Sequence, residues 1–351
     1  MQIFARTFFI NMKRILILVS AIFFLAACGN DAVDTADNDN QQIDTTVTEK
    51  TAEFKAINDL LKENINDPVL YLQRAKLYMK YNDLSSAVND LDRAIKVDSL
   101  APEYYLLKAE LLKSQDKLRE SKQVLDQCLF IDTANVDARV ELGWLALIAR
   151  DHKQALDYAD AALKRDIHSA EAYFLKGMIF EEKQDTALAI SSFITAVEQE
   201  NDYYEAYIHL GLLHFNQPNN LAKEYLKNAL RLDSNSLEAL YAYGMICQEK
   251  GDYNEAIETY HKILSLQEYR EPHYNLGYIH QEYLKVYDVA IEHYTNAINL
   301  EPKYVDAYYN RALCYEQRDE LQKAEADLRK ALKLNPQYTN AAKALSRVLG
   351  Q

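Results

Sequence analysis

Glycine occurs only 8 times and proline 6 times in 351 residues. Turn-rich, collagen-like and low-complexity chains are excluded on that ground, and the plentiful Ala, Leu, Tyr, Glu and Lys suit an all-α protein. Cysteine occurs 4 times, and Cys128, Cys247 and Cys314 lie in well-separated stretches of the chain. A disulfide needs Cα atoms within about 7 Å, so these three read as small apolar residues. Cations are short as well: 39 Lys and Arg face 53 Asp and Glu, a net charge of −14. Non-specific nucleic-acid binding needs a basic surface and is excluded, while basic partners are favoured. Catalytic motifs are missing: there is no glycine-rich phosphate loop, no GxSxG and no HExxH. The chain reads as a non-enzyme that needs no cofactor. Its 8 histidines offer no metal site. His209 and His214 point about 140° apart on a helix, and His273 and His280 stand about 10 Å apart, whereas zinc ligands all lie about 2 Å from one ion.

What is present is a periodic pattern. Val305 to Tyr338 holds two amphipathic stretches around a short polar turn. Tyr308, Ala312 and Tyr315 share one helical face, as do Ala324, Leu328 and Ala331 further on, and Pro336 stops the second stretch. The pattern recurs from Pro68, Pro102, Val136, Ala170, Tyr204, Leu237, Arg270 and Val305. Position 8 reads Ala75, Ala109, Gly143, Gly177, Gly211, Gly244, Gly277 and Ala312. Position 20 reads Ala87, Ser121, Ala155, Ala189, Ala222, Ala256, Ala290 and Ala324. Position 27 reads Ala94, Cys128, Ala162, Ala196, Ala229, Ile263, Ala297 and Ala331. Small residues at fixed spacing let two helices approach closely.

This pattern resembles the tetratricopeptide repeat, a 34-residue helix–turn–helix unit. The resemblance covers residues 68–338 and implies an all-α, right-handed α-solenoid of eight repeats: 68–101, 102–135, 136–169, 170–203, 204–236, 237–269, 270–304 and 305–338. Terminal repeats need covers. A helix within 51–67, with Phe54, Ile57, Leu60 and Leu61 as its apolar side, is expected at one end. A helix within 339–351, with Ala342, Leu345 and Leu349, is expected at the other. Repeat 5 is one residue short and repeat 7 one residue long, across Glu282 to Asp288.

Ahead of the repeats, Ile15 to Ala27 is an apolar run behind Lys13 and Arg14. It reads as a signal-peptide core, and Met12-Lys13-Arg14 opens such a signal more compactly than Met1. Leu25-Ala26-Ala27-Cys28 resembles a bacterial lipobox, which implies cleavage of residues 1–27 and a lipid-bearing Cys28. The three cations lost with them take the net charge from −14 to −17. Gly29 after the cysteine points to the outer membrane, at its periplasmic face or the cell surface. Residues 28–50 carry acids and no basic side chain before Lys50. They are expected to form a disordered tether spanning about 25 Å as a flexible coil.

In the family, positions 2, 5, 9, 12 and 13 line an inner groove. Carried over, these give an apolar and aromatic floor of Val140, Trp144, Phe174, Met178, Ile208, Leu212, Phe215, Tyr241, Met245, Tyr274, Tyr278 and Tyr309. Position 2 adds an acidic rim: Glu103, Asp137, Glu171, Glu205, Glu238, Glu271 and Asp306. Such a groove suits a protein or peptide segment with apolar anchors and a few Lys or Arg. The carboxylate clamp of chaperone-binding relatives needs a row of basic residues, and only Lys76, Lys80 and Lys113 occupy groove positions. The leading expectation is a lipid-anchored scaffold that binds envelope proteins. The alternatives are a self-associating structural protein forming a homodimer, and a glycan- or cell-wall-binding protein.

Overall fold

The helices start and stop where local chemistry dictates. Side chains of Asp67, Asn135, Ser169 and Ser236 accept backbone N–H bonds at the starts of first helices of repeats. Asp83, Asp151 and Asp185 do the same for second helices. Each such cap satisfies an N–H that the helix cannot. The first helices commonly end on one left-handed residue: Asn82, Asp116, Arg150, Gln184, Gly251, Lys285 and Asp319 all have positive φ. That single residue reverses the chain into the short turn.

The computed structural model describes the backbone of residues 39–350 and side chains from residue 50. The signal peptide and Cys28 fall outside the described residues. Eighteen α-helices occur among the described residues: α1 Asp39–Glu63, α2 Pro68–Lys80, α3 Leu84–Val97, α4 Pro102–Ser114, α5 Leu118–Ile131, α6 Val136–Ile148, α7 His152–Leu163, α8 Ala170–Glu182, α9 Thr186–Gln199, α10 Tyr204–Leu213, α11 Leu221–Leu232, α12 Leu237–Lys250, α13 Tyr253–Leu266, α14 Arg270–Ile279, α15 Tyr287–Leu300, α16 Val305–Gln317, α17 Leu321–Leu334 and α18 Thr339–Leu349. The first helices of the pairs begin at the eight residues where the sequence pattern recurs. The fold is an all-α solenoid of helical hairpins, divided into two units at Lys183 and Gln184.

Within each unit the small positions carry the packing. Every side chain at positions 20 and 27 is at most 2% exposed. The departures fit without loss. Ser121 donates its hydroxyl to the Ala109 carbonyl at 2.8 Å, position 20 to position 8 of the same repeat. Cys128, Cys247 and Cys314 are buried free thiols. Burial pushes the Cys128 and Cys247 thiols up to about 11.

Four expectations need correction. The tether was expected through residue 50, but helix α1 already starts at Asp39. Extending an existing helix adds one bond per residue, whereas starting one is unfavourable. Ile57 and Leu61 of α1 are buried as expected, while Leu60 is exposed. In α18 the buried stripe is Ala341, Ala344 and Val348, one residue before the expected one, and Leu349 is 56% exposed. Both stripes have helical spacing, and contact with the last repeat selects between them. The extra residue of repeat 7 is absorbed as a single π-helical turn, His280–Leu284, ending on left-handed Lys285. Such turns are rare and accommodate one inserted residue inside a helix.

Candidate protein-binding groove

In each unit, taken by itself, the candidate site is the face formed by the groove positions of its first helices. Four of the expected floor residues are packing residues instead. Val140, Phe174, Ile208 and Phe215 are 5%, 7%, 1% and 8% exposed. Their side chains fill space between helices and leave a partner almost nothing to touch. Val140 belongs to the cluster of Ala155, Ala172 and Leu175. Trp144, Met178, Leu212, Tyr241, Met245, Tyr274, Tyr278 and Tyr309 are half-buried.

In unit 1 the Trp144 indole lies 5.9 Å from the Phe174 ring, tilted by 48°, an arrangement aromatic pairs favour. Phe174 thereby supports Trp144. In the same unit, Leu72, Leu106, Leu107, Lys76, Glu103, Glu110, Asp137 and Glu141 line a cleft of about 360 Å³. These are groove-side residues of repeats 1 to 3. Burial and Glu141 push the Glu110 carboxyl up against the opposing pull of Lys113. Burial, Glu171 and Glu141 push Asp137 up. The cleft therefore carries more negative charge than its own cations offset.

Unit 2 is built differently. Asn275 donates to the Tyr241 hydroxyl at 3.3 Å and Asn310 to the Tyr274 hydroxyl at 2.8 Å. Tyrosine at position 5 of one repeat is held by asparagine at position 6 of the next. Tyr274 also packs 5.1 Å from Tyr304, and Tyr309 packs 5.1 Å from Tyr338. Burial drives the Tyr241 and Tyr274 phenols far up, so they stay neutral.

The acidic rim is not continuous. Glu103, Asp137, Glu171 and Glu205 are exposed, but Glu238, Glu271 and Asp306 are half-buried. Glu271 accepts from Arg270 at 2.8 Å, and Asp306 accepts from the Tyr338 hydroxyl at 2.8 Å. Burial pushes the Glu238 carboxyl up. The few basic groove residues are largely occupied: Lys80 pairs with Glu53 at 2.7 Å and Lys113 with Glu141 at 2.5 Å. A carboxylate clamp has little to work with.

One cluster escaped the sequence reading. His261, His273 and His280 surround His293, with ring centroids 5.9, 5.5 and 5.7 Å from it. A signal existed in the register. Position 23 faces position 7 of its own repeat, as the Arg74–Asp90 and Arg311–Asp327 pairs show, and His293 holds position 23 once the inserted residue is discounted. Among the described residues no group of three ligands is placed to hold a metal, and no helix is long and apolar enough to cross a membrane.

Family models of the tetratricopeptide repeat match residues 140–204, 237–262 and 305–338, and one described as TPR repeat matches 285–319. The chain carries tetratricopeptide repeats. Human mitochondrial import receptor subunit TOM70 is 21% identical over 62% of this chain and 36% of the receptor. Human DnaJ homolog subfamily C member 7 is 22% identical over 76% of this chain and 44% of that protein. The chain thus spans less than half the length of these curated relatives. Among solved structures, the APC/C hetero-tetramer Cut9–Hcn1 is 20% identical, with a TM-score of 0.49, over 85% of this chain and 59% of the matched one.

Proposed function

We propose that this tetratricopeptide-repeat chain is a non-enzymatic scaffold, tethered by a lipid on Cys28 to a bacterial envelope membrane, that binds other envelope proteins through its groove. The observation that carries the binding reading is the tyrosine row of unit 2, with Tyr241, Tyr274, Tyr278 and Tyr309 each half-buried; in unit 1 Trp144 is half-buried as well. Partly exposed aromatic side chains are typical anchors of protein recognition. The exposed acids Glu103, Asp137, Glu171 and Glu205 favour a partner segment that adds Lys or Arg to its apolar anchors. The lipid reading rests on the Leu25-Ala26-Ala27-Cys28 motif. More than one acyl chain gives stable anchoring, and an outer-membrane address follows from Gly29.

The test is a crosslinked pull-down from solubilised membranes with mass spectrometry, run beside a Trp144→Ala, Tyr278→Ala, Tyr309→Ala variant. The expected result is a defined set of partners captured by the parent and lost by the folded variant. Equal capture by both removes the groove from the reading. Separately, Cys28→Ala is expected to abolish labelling by a palmitate analogue and to release the chain from the membrane pellet; retained label refutes the anchor.

A further inference from the structure

The histidines of repeats 6 and 7 meet at one point. His261 comes from α13, His273 from α14, His280 from the head of the π-helical turn and His293 from α15. Their hydrogen bonds set which nitrogen carries each proton. The Glu268 carboxylate can only accept, so His273 donates to it through Nε2, at 3.0 Å. His273 Nδ1 is then an acceptor, and His293 Nδ1 donates to it at 3.2 Å. His280 donates through Nδ1 to the Leu276 carbonyl at 2.8 Å. All three rings are satisfied as neutral imidazoles.

A proton added to His293 meets a poor environment. Among the described residues no carboxylate pairs with this ring, and its neighbours are three more imidazoles. The other groups facing its helix are already engaged. From α16, Arg311 donates to Thr295 at 2.9 Å while gripping Asp327, and Arg318 pairs with Asp288. In the π-helical turn Glu282 lies 3.9 Å from Lys285. Glu268 serves His273. The cluster thus supplies one carboxylate among four rings, and that carboxylate is bonded to His273 rather than to His293.

We infer that the four histidines form an acid-sensitive latch across repeats 6 and 7, which holds while His293 is neutral and loosens when it takes up a proton. Burial, then His273, His280 and His261, pushes His293 down to about 4 from an ordinary value of 6.5. Between those values the open chain binds a proton that the closed one refuses, so acid favours opening. Asn275 on Tyr241 spans the same two repeats, so the latch and the tyrosine row open together.

Hydrogen–deuterium exchange on the detergent-solubilised full chain tests this, with rates corrected for intrinsic exchange at each pH. Peptides covering residues 270–300 are expected to open about 20-fold more at pH 5 than at pH 7, the ratio given by one histidine displaced from 6.5 to about 4. Peptides covering residues 68–101, in unit 1, serve as the internal control. In His293→Gln, which keeps a donor for His273, the rise is expected to fall below about threefold, as the shifted proton site is gone. No pH-dependent rise in the parent, or an equal rise in His293→Gln, overturns the inference. If His293→Gln does not fold, NMR titration of the parent decides. A His293 midpoint near 4 supports the latch, and one at the ordinary histidine value refutes it.

Discussion

In repeats 1 and 2, position 8 is alanine and position 24 is leucine: Ala75 accompanies Leu91, and Ala109 accompanies Leu125, all at most 1% exposed. In repeats 6 and 7 the same slots hold glycine and tyrosine. Gly244 faces Tyr260 and Gly277 faces Tyr294, and both rings are fully buried. A Cβ built on Gly277 would sit 2.8 Å from the Tyr294 ring. Each tyrosine then has a hydroxyl to satisfy. Tyr260 donates to Gln248 at 3.1 Å and Tyr294 to Gln281 at 2.7 Å. One backbone plan therefore accepts two fillings: an aliphatic one in repeats 1 and 2, found again as Ala312 with Leu328 in repeat 8, and a hydrogen-bonded aromatic one in repeats 6 and 7. The candidate site differs as well, with an aliphatic, acid-lined cleft in unit 1 and a neutral tyrosine row in unit 2.

The largest expected effect probes unit 1. Phe174→Ala removes a buried ring and is expected to cost about 3 kcal/mol, read by denaturant unfolding. Tyr278→Ala, at a half-buried position, is expected to cost clearly less. A Phe174 variant as stable as the Tyr278 one would return Phe174 to the groove floor. Next, Gly277→Ala overpacks Tyr294. The clash costs about 1–3 kcal/mol and helix propensity returns about 1 kcal/mol, leaving a net loss of about 1 kcal/mol. Adding Tyr294→Leu rebuilds the alanine–leucine pair of repeat 1. A favourable coupling of about 1 kcal/mol between the two changes is expected; additivity would mean that the two slots are not matched to each other.

Asn310→Ala should cost about 1 kcal/mol through the lost bond to Tyr274, and an unchanged melting curve would remove that bond from the account of unit 2. The smallest effect is electrostatic. Glu110 and Asp137 are pushed above their ordinary values. The folded chain holds their protons more tightly than the unfolded one, so their contribution falls as pH rises through the raised values. Glu110→Gln with Asp137→Asn is therefore expected to raise the melting temperature slightly at pH 7 and not at pH 4. A fall at pH 7 would show that some cation compensates the cleft.

The repeating unit was legible because its signals are local. Small residues at positions 8, 20 and 27, the short polar turn between the two stretches and a stop such as Pro336 all act within one hairpin. A solenoid whose units contact only their neighbours repeats that local plan along the chain. The groove was legible in part. The family resemblance places Trp144, Phe174, Tyr241 and Tyr274 at groove positions, but how much of each stays open depends on its neighbours in the next helix. Hence Phe174 is buried while Trp144 is only half-buried.

The sequence by itself determined where the eight hairpins begin, that they are helical, and which small residues lie between their helices. Only the tertiary structure decided that α18 buries Ala341, Ala344 and Val348, that the surplus residue of repeat 7 becomes a π-helical turn, and that His261, His273, His280 and His293 converge. Periodicity along one helix specifies a face but not the distance or rotation of the helix opposite. Those come from side chains meeting across the interface, and they set which groups touch.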